Sequence, residues 1–246
     1  MKLLRCLFFI IVLLTGAHCK KNSGLSSPGR LAAVTVVNVC TGDSSVVVNF
    51  SNDSIRSFIS AYNVPLGSFY EYSVPSGKTP ITVYQGGDSV HPMTSGIFDL
   101  QPQGIYSLFI AGQYSQNSQN APDTLFTVDA IPYHSVADSS VGIRFVNLYK
   151  GGNPVSINQQ GNANGSEVDQ LGYKQTSPFK IYPATYANPD PSVGYVFEVR
   201  DATTSDLLTT VYYSNINRFQ NITIVVNGYY SNAIDNQIGT LIVNNF

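Results

Sequence analysis

The stretch TVVNVCTGDSSVVVN, beginning at Thr35, is nearly restated 109 residues later as RFVNLYKGGNPVSIN, beginning at Arg144. Asn38 aligns with Asn147, and Val46–Asn49 with Val155–Asn158. Further on, at an offset of 116, YSLFIAG ending at Gly112 aligns with ITIVVNG ending at Gly228, and TLFTV from Thr124 aligns with TLIVN from Thr240. The chain therefore carries two copies of one unit. The second copy holds a net insertion of seven residues, expected in the Pro-rich YPATYANPDPSVG. A period near 110 residues is too long for a solenoid or a propeller blade. It is the length of one β-sandwich domain.

The periodicity within each copy agrees. Tyr106, Leu108 and Ile110 alternate with Ser107, Phe109 and Ala111, and Ile222, Ile224 and Val226 alternate with Thr223, Val225 and Asn227. Alternation of this kind puts one set of side chains on one face of a strand, the same set in both copies. No segment beyond the N-terminal apolar run sustains helical spacing. Turn-forming clusters such as TGDSS, VPSGKTP, QGGDS, KGGNP and QGNANGS punctuate the runs. About seven short strands per copy are predicted. In the first they lie near 31–39, 45–50, 57–62, 67–74, 79–85, 96–100, 104–112 and 123–129. In the second they lie near 141–149, 154–159, 178–182, 193–200, 206–213, 219–228 and 239–245. The expected fold is all-β, two tandem antiparallel β-sandwich domains over 31–135 and 136–246. The join, PYHSVADSS, is short, so the domains are expected to touch rather than swing freely.

The N-terminus differs in kind. Lys2 and Arg5 precede the apolar run Leu7–Leu14, which is too short to span a bilayer, and then comes TGAHCKKNSG. Residues 1–18 are read as a lipoprotein signal, with Cys19 as the lipidated first residue of the mature chain and 19–30 as a polar tether. This resembles the lipobox of Gram-negative lipoproteins, although Gly16 and His18 depart from its usual residues. The rival reading is ordinary signal cleavage after Ala17 and secretion. Without residues 1–18 the chain keeps 11 basic and 15 acidic residues, a net charge of −4. No basic stripe remains, which argues against nucleic acid. Charged residues are only 11% of the chain, less than half the usual share of about 25%. Cys6 falls in the signal and Cys19 would carry lipid, so Cys40 has no partner for an intrachain disulfide and is read as a structural thiol.

The VVN and FVN strands, the segment LGSFYEYSVPSGKTPITVY and the run GIYSLFIAG together resemble the domain of unknown function 4397 family of secreted and lipid-anchored bacterial proteins. The first copy matches better. The second keeps its first strand and NITIVVNG but lacks the VPSGKTPITV segment. The resemblance implies an immunoglobulin-like or transthyretin-like sandwich at the cell envelope and carries over no catalytic residue.

Catalytic motifs are wanting. SGKT at Ser76–Thr79 lacks the glycine and the following helix that a phosphate loop needs. There is no G-x-S-x-G elbow. His134 has Ser135 and Asp138 near it in sequence, but a linker is a poor platform for a triad. Glu71 and Glu198 lie in different copies, so no carboxylate pair is expected to face one bond. NANGSEVD, Asn162–Asp169, lacks calcium-loop spacing, and no His/Cys cluster could hold zinc. No cofactor or metal is expected.

Tyrosines supply the positive hint. Adjacent strand residues point to opposite faces, so one of Tyr212/Tyr213 and one of Tyr229/Tyr230 should point away from a core. An exposed tyrosine offers a flat apolar face and a hydroxyl, suited to a sugar or a protein partner. The candidate binding residues, expected at loop tips, are Tyr70, Tyr72, Tyr114, Tyr186, Tyr229 and Tyr230. Asp-Ser/Thr-apolar triplets also mark Ser54, Ser89 and Thr124 as candidate O-glycosylation acceptors. The expected function is a non-catalytic envelope lipoprotein, held to the membrane by its N-terminal lipid, that binds a glycan or protein. The alternative is a structural or accessory subunit of an outer-membrane or secretion assembly. The expected location is the bacterial outer membrane, on either face.

Overall fold

The computed structural model describes residues 31–42, 45–52, 62–115, 121–184, 194–214, 216–230 and 237–245. The protein is all-β, and its strands form four sheets. In the first half, β1 (Leu31–Asn38), β4 (Ser68–Pro75), β7 (Ile105–Ala111) and β8 (Asp123–Val128) form one sheet in the order β4-β1-β7-β8. The strands β2 (Ser45–Asn49), β3 (Asn63–Pro65), β5 (Gly77–Gln85) and β6 (Pro92–Leu100) form the other, ordered β3-β2-β5-β6. The predicted strand at 57–62 falls almost wholly outside the described residues.

The second half repeats this plan. One sheet is built on β9 (Ser140–Lys150), β16 (Asn221–Tyr229) and β17 (Gln237–Asn245), with the short β12 (Gln175–Thr176) and β13 (Lys180–Pro183) both paired to β9. The other sheet has β11 (Val168–Leu171), β10 (Val155–Gln159), β14 (Tyr195–Asp201) and β15 (Leu207–Tyr213) in that order. Among the described residues the strand pairings are antiparallel except β1 with β7 and β9 with β16, and the isolated bridge Thr41–Gln113 is parallel as well. Among the described residues every ladder stays on one side of the segment 129–139. The copies are offset by 108 at Pro75/Pro183 and by 116 at Gln85/Asp201, so the added residues enter between β13 and β14, in the segment singled out from sequence.

The repeated asparagine explains why the repeat was visible. Asn38 Nδ2 donates to the Val64 carbonyl at 3.0 Å, and its Oδ1 accepts from the Cys40 amide at 3.1 Å. Asn147 does the same with the Leu171 carbonyl at 2.8 Å and the Tyr149 amide at 2.9 Å. Each stitches its leading strand to the facing sheet and satisfies backbone groups that would otherwise be buried alone.

Two cores lie inside the two sandwiches. Val34, Val36, Leu108 and Ile110 belong to the first, and Ile143, Phe145, Ile222 and Ile224 to the second. The expected inward faces are thus the observed ones. The opposite faces are not left to solvent. Val37, Val39, Phe109 and Ala111 of the first half meet Val146, Leu148, Val225 and Val243 of the second in a third core. The halves are joined face to face by their β1 and β9 sheets. A strand buried on both sides needs apolar residues at nearly every position, and β9, SVGIRFVNLYK, is buried along all but its last residue.

Within this joint sits a charge cluster. Arg144 Nη1 donates to Asp129 Oδ1 at 2.7 Å, and its Nε donates to Thr223 Oγ1 at 2.8 Å. Ser107 and Thr127 hydroxyls also donate to Asp129, at 2.6 and 2.8 Å. At the other end, Lys150 Nζ and the Tyr173 hydroxyl donate to Asp123 Oδ2 at 2.6 and 3.0 Å. Burial works against the Asp123 carboxylate, but these two partners outweigh it and hold its pKa below the usual value.

Candidate functional site

Three tyrosines gather where β3 and β4, edge strands of the two sheets of the first half, adjoin. Tyr70 and Tyr72 are two apart on β4, so they share a face. Tyr72 is the deeper, packed on the first core with its ring 5.1 Å from that of Phe50. Tyr62, just before β3, brings its ring to 6.1 Å from that of Tyr70. Tyr62 is 71% exposed and Tyr70 45% exposed, with the half-exposed Leu66 on the turn between their strands. The result is a tilted aromatic platform, with the Tyr72 hydroxyl donating to the Tyr62 carbonyl at 3.4 Å. Tyr70 and Tyr72 therefore lie within a strand rather than at loop tips, and Tyr62 was not foreseen. Its sequence signal was weak, a lone tyrosine at the end of a predicted strand.

The tyrosines also set an alkaline limit on the fold. Burial pushes the Tyr72 hydroxyl up to about 12, helped by Tyr70 and Tyr62, and burial does the same to Tyr213 in the second core. The folded state favours both neutral, so the stability they carry is whole below the unfolded tyrosine value of about 10. It is lost as pH rises from there through about 12. The melting temperature is expected to fall more steeply over that window in the wild type than in a Tyr72→Phe/Tyr213→Phe variant. Parallel curves would refute this.

The remaining candidates scatter. Tyr114 is only 9% exposed and packs into the first core, so it has no face to offer a ligand. Of the strand pair, Tyr213 is buried and Tyr212 is exposed, as alternation requires. Tyr229 and Tyr230, at the end of β16, are both about two-fifths exposed and neither enters a core. Ser89 is exposed in a turn, whereas Thr124 is half-buried in β8 opposite Ile110. Cys19, Ser54 and Tyr186 lie outside the described residues.

Two clefts open among the described residues of the second half. The larger, about 690 Å³, opens where the second half's counterpart of β4 is split into β12 and β13. Between the pairs Val146/Thr176 and Ile143/Lys180, four steps along β12–β13 oppose three along β9. The extra residue bulges the chain outward. Ser177 bridges the gap by bonding Phe145 through both its amide and its hydroxyl. The space so opened is lined by Phe145, Phe179 and Tyr182 and by Glu167, which accepts from Lys180 Nζ at 2.6 Å and from the Tyr182 hydroxyl. One carboxylate lines this cleft, whereas hydrolysis by paired carboxylates needs two across a bond.

The smaller cleft, about 480 Å³, lies at the opposite end of β9 and is lined by Tyr149, Asp201, Asp206 and Tyr230 among others. His134 makes no triad. Its Nδ1 meets both Ser140 Oγ at 2.9 Å and Asp138 at 3.5 Å, and its Nε2 faces Asn221. A triad needs the serine and the carboxylate on different ring nitrogens. Among the described residues no three His, Cys, Asp or Glu side chains gather as metal ligands, and no helix is long and apolar enough to cross a membrane.

No protein-family model matches the chain, and no curated protein matches it. Among solved structures it is similar to a carbohydrate-binding module, CBMbc of family CBM26 from Eubacterium rectale Amy13K, in complex with maltoheptaose. The two share 6% identity at a TM-score of 0.26, over 88% of this chain and 97% of that one. A likeness that low does not bear on the ligand of this chain.

Proposed function

We propose that the protein is a non-catalytic lipoprotein of the bacterial cell envelope that binds glycan through the Tyr62–Tyr70–Tyr72 platform. The observation that carries this reading is the exposure of two tyrosine rings 6.1 Å apart, Tyr70 on the edge strand β4 and Tyr62 just before the edge strand β3. Sugar rings have one face of C–H groups that packs on aromatic rings, and hydroxyls at the rim that reach tyrosine oxygens. A platform backed by the first core through Tyr72 and Phe50 loses little order on binding.

The test is affinity electrophoresis and a glycan array with the mature chain and a Tyr62→Ala/Tyr70→Ala variant. At least one glycan is expected to retain the wild type, and the variant to lose about tenfold or more in affinity with its fold intact. Equal retention of both proteins would sink the platform. The anchor is checked by labelling cells with a radioactive fatty acid, which Cys19→Ala should abolish. Label that persists would refute lipidation at Cys19. If no glycan is retained, the accessory-subunit reading takes precedence, and crosslinked pull-downs replace the array.

A further inference from the structure

The smaller cleft holds an anomaly at its floor. Tyr149 is 2% exposed and its hydroxyl, sealed from water, has no hydrogen-bond partner. A buried polar group left alone is costly and calls for an explanation. The sequence went out of its way to place it. The matching residue in the first copy is Cys40, a small thiol. The tyrosine ring fits only because residue 152 is glycine, since a Cβ there would stand 2.3 Å from Tyr149 Cε1. The first copy has Asp43 at that position. Tyrosine for cysteine and glycine for aspartate are paired changes, and together they build the floor of this cleft.

The walls narrow the choice of ligand. Asp201 Oδ1 accepts from the amides of Thr203 and Thr204 at 2.7 and 3.0 Å, and its Oδ2 accepts from Asn153 Nδ2 at 3.0 Å. Burial opposes the Asp201 carboxylate, yet these donors hold it ionised. Asp206 is a second acid on the rim, bonded by the Thr204 hydroxyl at 2.8 Å. Among the described residues no lysine or arginine lines the cleft, so an anion would meet repulsion. A metal ion would find Asp201 oxygens already facing N–H donors. A purely apolar ligand would leave the Tyr149 hydroxyl as lonely as before. Tyr230, 40% exposed, and the half-exposed Leu207 supply a flat apolar wall. The volume, about 480 Å³, is in the usual range for small-molecule sites, roughly 300–1,000 Å³.

We propose that this cleft is a second binding site, for one neutral sugar ring, with a ligand hydroxyl inserted between Tyr149 and Asp201 and Tyr230 swung out to stack on the ring. The ligand hydroxyl accepts from Tyr149 and donates to the one lone pair left on Asp201 Oδ2. The proposal shares the ligand class of the platform but rests on a different surface in the other half of the chain.

The test is an amide NMR titration of the isotope-labelled mature chain with glucose, galactose, mannose and N-acetylglucosamine, and separately with calcium chloride. At least one sugar is expected to give saturable shifts at Gly151, Gly152, Asn153 and Thr204. Tyr149→Phe removes only an unpaired hydroxyl, so its melting temperature should not fall, while sugar affinity should drop about tenfold. Gly152→Ala should abolish binding by displacing the ring. If that variant misfolds, Tyr149→Phe still decides. Any of these results would overturn the proposal: no saturable shift with any sugar, shifts with calcium alone, unchanged affinity in Tyr149→Phe, or an ordered water on Tyr149 that no sugar displaces. Sugar shifts confined to Tyr62 and Tyr70 would overturn it and leave the platform standing. Shifts at Gly152 with none at the platform would do the reverse.

Discussion

Replacing Arg144 with alanine is expected to destabilise the protein by about 3–5 kcal/mol. The Asp129 side chain is fully buried, and Arg144 is its charge partner at 2.7 Å. Without the guanidinium, a carboxylate would remain in the joint between the halves with only the Ser107 and Thr127 hydroxyls to hold it. Asp129→Ala should cost a similar amount, because it strands the cation instead. The joint effect is the sharper test. An Asp129→Leu/Arg144→Met variant removes both charges together and should recover most of the loss, since a buried pair is roughly matched by apolar residues of like volume. Lys150→Ala, which breaks the half-exposed Lys150–Asp123 pair, should cost under about 1 kcal/mol. Urea unfolding of the four variants separates these cases. The single variants should also split one transition into two, because the cluster joins the halves. A loss below about 1 kcal/mol in either buried single variant would show that water reaches the pair.

The second large effect belongs to the repeated asparagines. Asn38→Ala and Asn147→Ala should each cost about 2–4 kcal/mol, because each leaves a carbonyl and an amide unpaired at a buried site. The groups at risk are the Val64 carbonyl and Cys40 amide in one half, and the Leu171 carbonyl and Tyr149 amide in the other. Aspartate is no rescue. It keeps the acceptor, loses the donor and buries a charge, so Asn→Asp should be at least as harmful at neutral pH. Each asparagine bonds only within its own half, so the two losses should add in the double variant. Thermal or chemical unfolding that shows either alanine variant within about 0.5 kcal/mol of wild type would mean that water replaces the side chain.

Much of this was legible beforehand, for local reasons. The strands β1, β2, β4, β5, β7 and β8 fall within about two residues of the predicted ranges, because alternation of period two is a local property of a strand. The strands that escaped were short and polar. NVP of β3, VDQL of β11 and QT of β12 have too few apolar residues to show a period, and their neighbours supply their order. The start of β6 at Pro92 also escaped, since HPMTSG reads as a turn. A proline is tolerated there at the first residue of an edge strand.

The candidate sites were less legible. Alternation correctly separated Tyr212 from Tyr213, but it could not say that Tyr62 would come beside Tyr70. That meeting depends on β3 and β4 lying in different sheets with adjoining edges. Tyr114 was misplaced because it follows Gly112 in what looks like a loop, whereas a bond from its amide to Thr41 tucks it into the first core. Tyr149 carried a hint in the glycines that follow it, but a glycine pair marks many turns, and only the ring contact gives Gly152 its meaning.

From sequence alone came the duplication, the all-β class and the inward face of each central strand, because a chemical alternation along the chain dictates them whatever lies beyond. Tertiary structure alone decided the rest. The outward faces of β1, β7, β9 and β16 turned out to be buried against one another, the parallel pairings tied strands far apart in the chain, and Arg144 found Asp129 across the joint. An apolar residue records only that it prefers to leave water. Which surface receives it is settled by shape and by the burial of every neighbour at once.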